Sequence, residues 1–155
     1  MSEHEKFMRL ALEIAHTHEE EGEALVGSVI VRDDEVVATG CNTAKRDLDM
    51  TAHAEMVAMR NAGPVQGHTD LRGCTLYSTG EPCIMCAGAM VSSGIARVVL
   101  GGNYSKHNGG FGDYSVEKAF ALVHRSDIDV IRGVLTAECE AMRWGYWARQ
   151  ARGEV

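Results

Sequence analysis

His53-Ala54-Glu55 and, further along, Pro82-Cys83-Ile84-Met85-Cys86 are the stretches whose reading decides the fold. Cys83 and Cys86 are three apart, so on a helix they share a face and can grip one atom together. Pro82 suits the first position of that helix, where a missing N–H is no loss. Thr51 is a candidate cap for a second helix, which places His53 in its first turn. One imidazole nitrogen and two thiolates make three zinc ligands, with no fourth protein ligand evident nearby. That is the pattern of a catalytic zinc, which keeps a position for water. Two thiolates cancel the formal charge of the ion, so a water there ionises less readily than at an all-histidine site. Glu55 is placed to take that proton. His53 and Glu55 diverge around a helix and converge only on something ahead of its first turn, which separates holding metal from moving protons. A lone Cys-x-x-Cys would also fit a structural half-site or a redox pair. The upstream His-x-Glu, with both motifs opening expected helices, favours catalysis.

The chain of 155 residues reads as a single domain over 1–155, long enough to bury a core. Hydrophobic content of 45% and charged content of 24% are those of an ordinary soluble globule. The polar start, Ser2 to Lys6, reads as no secretory signal, and no apolar run is long enough to span a bilayer. Five cysteines, two of them assigned to metal, fit a reducing cytoplasm better than a disulfide framework. Cys41, Cys74 and Cys139 lie in apolar stretches and read as small core residues. The formal charge of −7 weighs against nucleic acid, whose binders carry a basic patch.

A first helix is expected over 3–20, opened by a capping box of Ser2 and Glu5, with Phe7, Leu10, Ala11 and Ile14 facing the core. Leu25 to Val31 and Val36 to Cys41 read as a hairpin around Arg32-Asp33-Asp34-Glu35. A second helix should run from Ala52 to about Asn61 and break at Gly63-Pro64. Further strands are expected over 74–78, 97–100 and 127–134, with helices after Pro82, over 116–124, and after Thr136 as cap. The glycine-rich loop from Gly101 to Tyr114 suggests backbone freedom; Lys106 and His107 in it read as tRNA contacts or as loop solvation.

His-x-Glu followed by Pro-Cys-x-x-Cys resembles the signature of the zinc nucleobase and nucleoside deaminases, the cytidine-deaminase superfamily. The resemblance extends from roughly Phe7 to Cys139 and is closest to the branch of guanine, cytosine and tRNA-adenosine deaminases. It implies a three-layer α/β/α fold with a mixed five-stranded sheet, a Zn2+ cofactor on His53, Cys83 and Cys86, and Glu55 as the catalytic proton carrier. It also carries substrate contacts onto Asn42, Ala54, Glu81, Asp113 and Trp144. Asn42, otherwise an ordinary turn residue, would hold the substrate ring by its amide. Glu81 would act through its backbone carbonyl, its side chain bracing the loop. Asp113 enters through Gly110-Phe111-Gly112-Asp113, a distant likeness to guanine deaminases. Trp144, with Tyr146 and Trp147, reads as core or dimer interface, and the resemblance adds a lid over the substrate. The family is usually a homodimer.

The first functional reading is hydrolytic deamination of a free nucleobase or related amino-heterocycle, cytosine-, guanine- or s-triazine-like, with release of ammonia. The alternative is a tRNA-specific adenosine deaminase, making inosine in the anticodon loop. Cys83 to Met90 and Gly133 to Cys139 resemble the tRNA enzymes. The net charge, the want of a Lys/Arg-rich tail and the 101–114 loop weigh the other way. A non-enzymatic zinc module, the third class, is disfavoured by Glu55 and the open fourth position. On this reading the partner is a small aminated heterocycle, with no membrane and a cytoplasmic setting.

Overall fold

The computed structural model describes residues 1–103 and 112–155. Lys106, His107, Gly110 and Phe111 lie outside the described residues. The elements are α1 (Glu3–Ala15), β1 (Gly27–Arg32), β2 (Glu35–Cys41), α2 (Ala54–Gln66), β3 (Thr75–Ser78), α3 (Ile84–Ser93), β4 (Arg97–Leu100), α4 (Val116–Leu122), β5 (Asp129–Ile131) and α5 (Thr136–Ala151). One five-stranded mixed sheet runs in the order β2-β1-β3-β4-β5. β1 is antiparallel to both β2 and β3, and β3, β4 and β5 are mutually parallel. This is the layered cytidine-deaminase-like fold.

Strand alternation divides the core between two faces. Val29, Val31, Tyr77 and Val99 point to α1 and to Cys139 of α5. Ile30, Leu76, Val98 and Leu100 point to the side where α2, α3 and α4 supply Ala58, Ala62, Met90 and Phe120. The hairpin turn is Asp33-Asp34, both at positive φ (50° and 62°), as a two-residue turn between right-twisted strands requires.

Several boundaries differ from expectation, each for a local reason. α1 keeps its capping box, with Glu5 N donating to Ser2 Oγ and Ser2 N to Glu5 Oε2. It stops at Ala15 because the Thr17 hydroxyl donates back to the Ile14 carbonyl (2.7 Å). The buried face of α1 is Phe7, Met8, Ala11 and Ala15, rotated from the expected one. A separate 3-10 turn, Glu19–Glu21, follows and ends on Gly22 at φ 74°. α2 begins at Ala54 and runs through Pro64 to Gln66, since a proline in the last turn removes one hydrogen bond and faces solvent. Thr51 does not cap it: its hydroxyl bonds Asp49 (2.7 Å), and His53 occupies the N-cap. Pro82 likewise precedes the N-cap, Cys83. Thr136 begins α5 but bonds the Gly101 carbonyl (2.7 Å), leaving Leu135, at φ 54°, as its N-cap.

Gly40 controls where α2 lies. A Cβ there would stand 2.4 Å from Ala58 N and 2.5 Å from Ala54 O, both backbone atoms of α2. The close approach of helix to strand sets the height of Ala54 and Glu55 above the sheet. Gly40→Ala is expected to destabilise the fold by about 3 kcal/mol, at the upper end of ordinary overpacking. That is a fall of roughly 6–12 °C in Tm for a chain of this size. Thermal unfolding followed by circular dichroism measures it; an unchanged midpoint would contradict the close-approach account.

Candidate active site

The N-termini of α2 and α3 meet at one point, each carrying its first donor on extended backbone. His53 is the N-cap of α2 (φ −69°, ψ 156°) and Cys83 the N-cap of α3 (φ −71°, ψ 172°). Cys86 follows in the first turn of α3. His53 Nδ1 lies 3.5 Å from Cys83 Sγ and 3.8 Å from Cys86 Sγ, and the two sulfurs are 3.7 Å apart. A tetrahedral zinc at ordinary bond lengths needs about 3.8 Å between two sulfurs and about 3.6 Å between nitrogen and sulfur. The three side chains fit the ion, and Zn2+ is the cofactor.

The electrostatics point the same way. Cys83 is held well below the usual thiol range, first by the Cys86 thiol donating to it and then by His53, against its burial. Cys86 is pushed up, first by Cys83 and then by burial. Two thiolates side by side in a buried place are unfavourable on their own, and a dication removes that conflict. His53 is raised chiefly by its hydrogen bond to Cys83.

Glu55 sits in the first turn of α2 and is buried. Its Oε1 accepts from Ser78 Oγ (2.7 Å), and its Oε2 lies 3.5 Å from Cys86 Sγ. Ser78, fully buried at the end of β3, thus fixes which carboxyl oxygen faces the metal ligands.

A cavity of about 200 Å³ opens beside these groups. Asn42, Ala54 and Glu81 line it together with His53, Glu55 and Cys83, where the sequence reading expects them. The Glu81 carboxylate does brace the loop, pairing at 2.5 Å with Arg132, which also binds Glu117. The structure does not bring Asp113 to the cavity: its side chain is 98% exposed and pairs with Lys118 (2.6 Å). Trp144 is 42% exposed and also lies off the wall. The aromatic in the wall is Trp147, one turn on, with Trp144 edge-on to it (5.3 Å between centroids). Arg143, Tyr146 and Trp147, at i, i+3 and i+4, share the face that α5 turns to the cavity. The buried Tyr146 hydroxyl, donating to the Gly22 carbonyl (2.9 Å), fixes that rotation.

Sequence reasoning missed Ser78, Arg143 and Glu23. Ser78 had a signal, a polar residue closing an apolar strand just ahead of the cysteines. Glu23 was hidden behind the acidic run Glu19-Glu20-Glu21, which reads as solvated surface.

Residues 1–102 match the family of cytidine and deoxycytidylate deaminase zinc-binding regions. The chain belongs to that family. It is a deaminase, an enzyme that cleaves a C–N bond hydrolytically. The tRNA-specific adenosine deaminase of Buchnera aphidicola subsp. Schizaphis graminum is 34% identical over 135 residues, covering 86% of each chain. A structure from a study of A-to-I editing by tRNA:A34 deaminases at the wobble position of transfer RNA superposes with a TM-score of 0.79. It is 34% identical and covers 88% of this chain and 98% of that one. Guanine deaminase from Bacillus subtilis is similar over less, 68% of this chain and 67% of its own, with TM-score 0.63 and 36% identity. The likeness to tRNA enzymes over nearly whole chains overturns the expectation of a free-base deaminase, and with it the expectation of a small heterocycle as partner. Among the described residues, no helix of the deaminase is long and apolar enough to cross a membrane.

Cys86→Ala is expected to lose most of the zinc, while Glu55→Ala keeps it. Metal analysis of the purified variants checks both; full retention in Cys86→Ala would remove that sulfur from the ligand set.

Proposed function

We propose that the deaminase converts adenosine to inosine at the wobble position of a tRNA anticodon loop. The observation that carries the choice of substrate is its likeness, over most of both chains, to the tRNA:A34 deaminase structure. The site supports the chemistry. His53, Cys83 and Cys86 would hold the Zn2+, which when bound supplies a Lewis acid that eases loss of a proton from a water. Glu55, anchored at Oε1 by Ser78, turns Oε2 toward the metal ligands, 3.5 Å from Cys86 Sγ, to receive that proton. The same oxygen delivers it to the ring nitrogen beside the carbon that the water oxygen attacks. The second proton of that water oxygen then passes through Glu55 to the amine, and the C–N bond breaks to release ammonia and leave a ring carbonyl. Asn42, on the cavity wall, holds the ring, and Trp147 supplies a flat face for a base splayed out of the loop. Arg143 lies over Trp147, 4.8 Å from its ring centroid, and lines the cavity with it.

The negative net charge does not oppose this reading. From Arg143 to Arg152 the chain carries three arginines and no acid, interleaved with Trp144 and Trp147. Arg143 lines the cavity, while Arg149 and Arg152, at the end of α5, line a neighbouring groove and pair with Glu19 and Glu154. The setting of such a substrate is the cytoplasm. A homodimer belongs to the same reading, because Ile84, Leu122 and Val123 are 58%, 77% and 54% exposed and line one groove with Ala119 and Gly88.

Inosine formation in an A34-containing anticodon stem-loop tests the proposal. The rate at limiting RNA should fall at least about tenfold between roughly 50 and 200 mM salt, as three or more phosphate contacts require. Glu55→Ala should cost about a hundred- to ten-thousandfold with zinc retained. Ammonia release from free guanine or cytosine with an inert stem-loop would overturn the substrate assignment.

A further inference from the structure

Glu23 is 1% exposed, among the most deeply buried acids of the chain, and takes no part in metal binding or proton transfer. It lies between the 3-10 turn and β1, next to Ala24 of the cavity wall. Its Oε2 accepts from Asn42 Nδ2 (2.8 Å) and its Oε1 from the backbone N–H of Arg46 (2.6 Å). Both donors are neutral, and burying a carboxylate among neutral donors is costly. What that cost secures is orientation.

Resting on the deaminase reading, we propose that Glu23 is a positioning residue, locking the Asn42 side-chain amide in the single orientation that substrate meets. An asparagine amide turns over readily about its last torsion, where the wells are broad and roughly two-fold. A carboxylate only accepts, so the atom Asn42 turns toward Glu23 is the nitrogen. The flipped amide would set Oδ1 against Glu23 Oε2, two acceptors face to face. Asn42 Oδ1 and its second N–H are thereby held in fixed directions beside the cavity. The Asn42 backbone is tied as well, its N–H donating to the Val26 carbonyl (3.2 Å).

The demand is specific to a carboxylate of this length. Both partners of Glu23 are donors, and glutamine offers one acceptor and one donor. In Glu23→Gln the amide satisfies either Arg46 N–H or Asn42 Nδ2. When it satisfies Arg46, its own N–H₂ faces Asn42, which is relieved by flipping. A residue that only filled space would tolerate this isosteric change.

The test is a double-mutant cycle with Glu23→Gln and Asn42→Ala, assayed for inosine in the stem-loop and joined to NMR of the Asn42 side-chain amide. Glu23→Gln should lower kcat/KM roughly ten- to a hundredfold, the scale of a misplaced positioning group, with zinc content unchanged. In the Asn42→Ala background it should cost almost nothing further, because the group it orients is gone. The Asn42 NH₂ resonances should shift and exchange faster with water in Glu23→Gln. Additive losses, wild-type activity, or unshifted resonances would each overturn the proposal. Should Glu23→Gln unfold, combining it with Asn42→Asp gives every donor an acceptor again. The introduced glutamine then accepts from Arg46 N–H through its carbonyl oxygen, and the introduced aspartate accepts from the glutamine N–H₂. That pair should regain the melting temperature without the activity, and full recovery of activity would again overturn the proposal. No inosine from the wild-type protein would remove the proposed function, while the NMR comparison still decides whether Glu23 holds Asn42.

Discussion

Three donor atoms must stand within 3.8 Å of one another, although His53 and Cys83 are 30 residues apart in the chain. Everything in the fold that matters for chemistry serves that constraint. The donors ride on the starts of α2 and α3, one helix delivered by the end of β2 and the other by the loop after β3. Helix starts are rigid, since their first carbonyls already accept intrahelical bonds, as His53 O does from Val57 N and Cys83 O from Ala87 N. They also carry partial positive charge, which favours thiolates before any metal arrives. Gly40 lets α2 lie against β2, and Ser78 reaches Glu55 from β3. A shift in either strand would therefore move the proton carrier relative to the metal.

The far wall of the cavity is built differently, from Ala24 to Val26 and from α5, segments distant from the zinc ligands in sequence. Tyr146 ties α5 to Gly22, Lys45 joins both from the other side, and Arg149 pairs with Glu19. The one ion pair in this set, the part-exposed Arg149–Glu19, contributes little stability by itself. Together these contacts fix the rotation of α5, which decides that Trp147, and not Trp144, meets the cavity. The α5 side of the cavity thus rests on supports other than those of the metal ligands. One fold can keep the metal ligands and vary that side, as the likeness to enzymes of different substrates indicates.

How much of this was legible in the sequence follows from how local each signal is. His53, Cys83 and Cys86 were legible because ligand chemistry fixes residue type and helical spacing fixes geometry. The strands and the Asp33-Asp34 hairpin were legible from alternation and turn residues. Helix ends were less so: Thr17 and Thr51 turn their hydroxyls to the nearby Ile14 and Asp49, one local partner among several, and Thr136 bonds Gly101, which only the folded chain brings near. Trp144 and Trp147 differ by one turn, and periodicity alone cannot say which faces the cavity. Glu23 was invisible, because its burial depends on Asn42 and Arg46 arriving from across the hairpin.

The net charge misled for a related reason. A total of −7 averages the acidic run Glu19-Glu20-Glu21 with the arginines of α5, whereas phosphates respond to charge within about one Debye length, roughly 8–10 Å. Arg143 is in the cavity wall, Arg46 pairs with Glu21 (2.8 Å), and Arg149 pairs with Glu19. Acids that pair with arginines lower the net charge while keeping the guanidinium groups in place. Phosphates, bidentate acceptors that suit the guanidinium fork, can compete for arginines so held. An acidic total is therefore compatible with binding RNA, provided the cations are gathered where the loop enters and the acids are their partners.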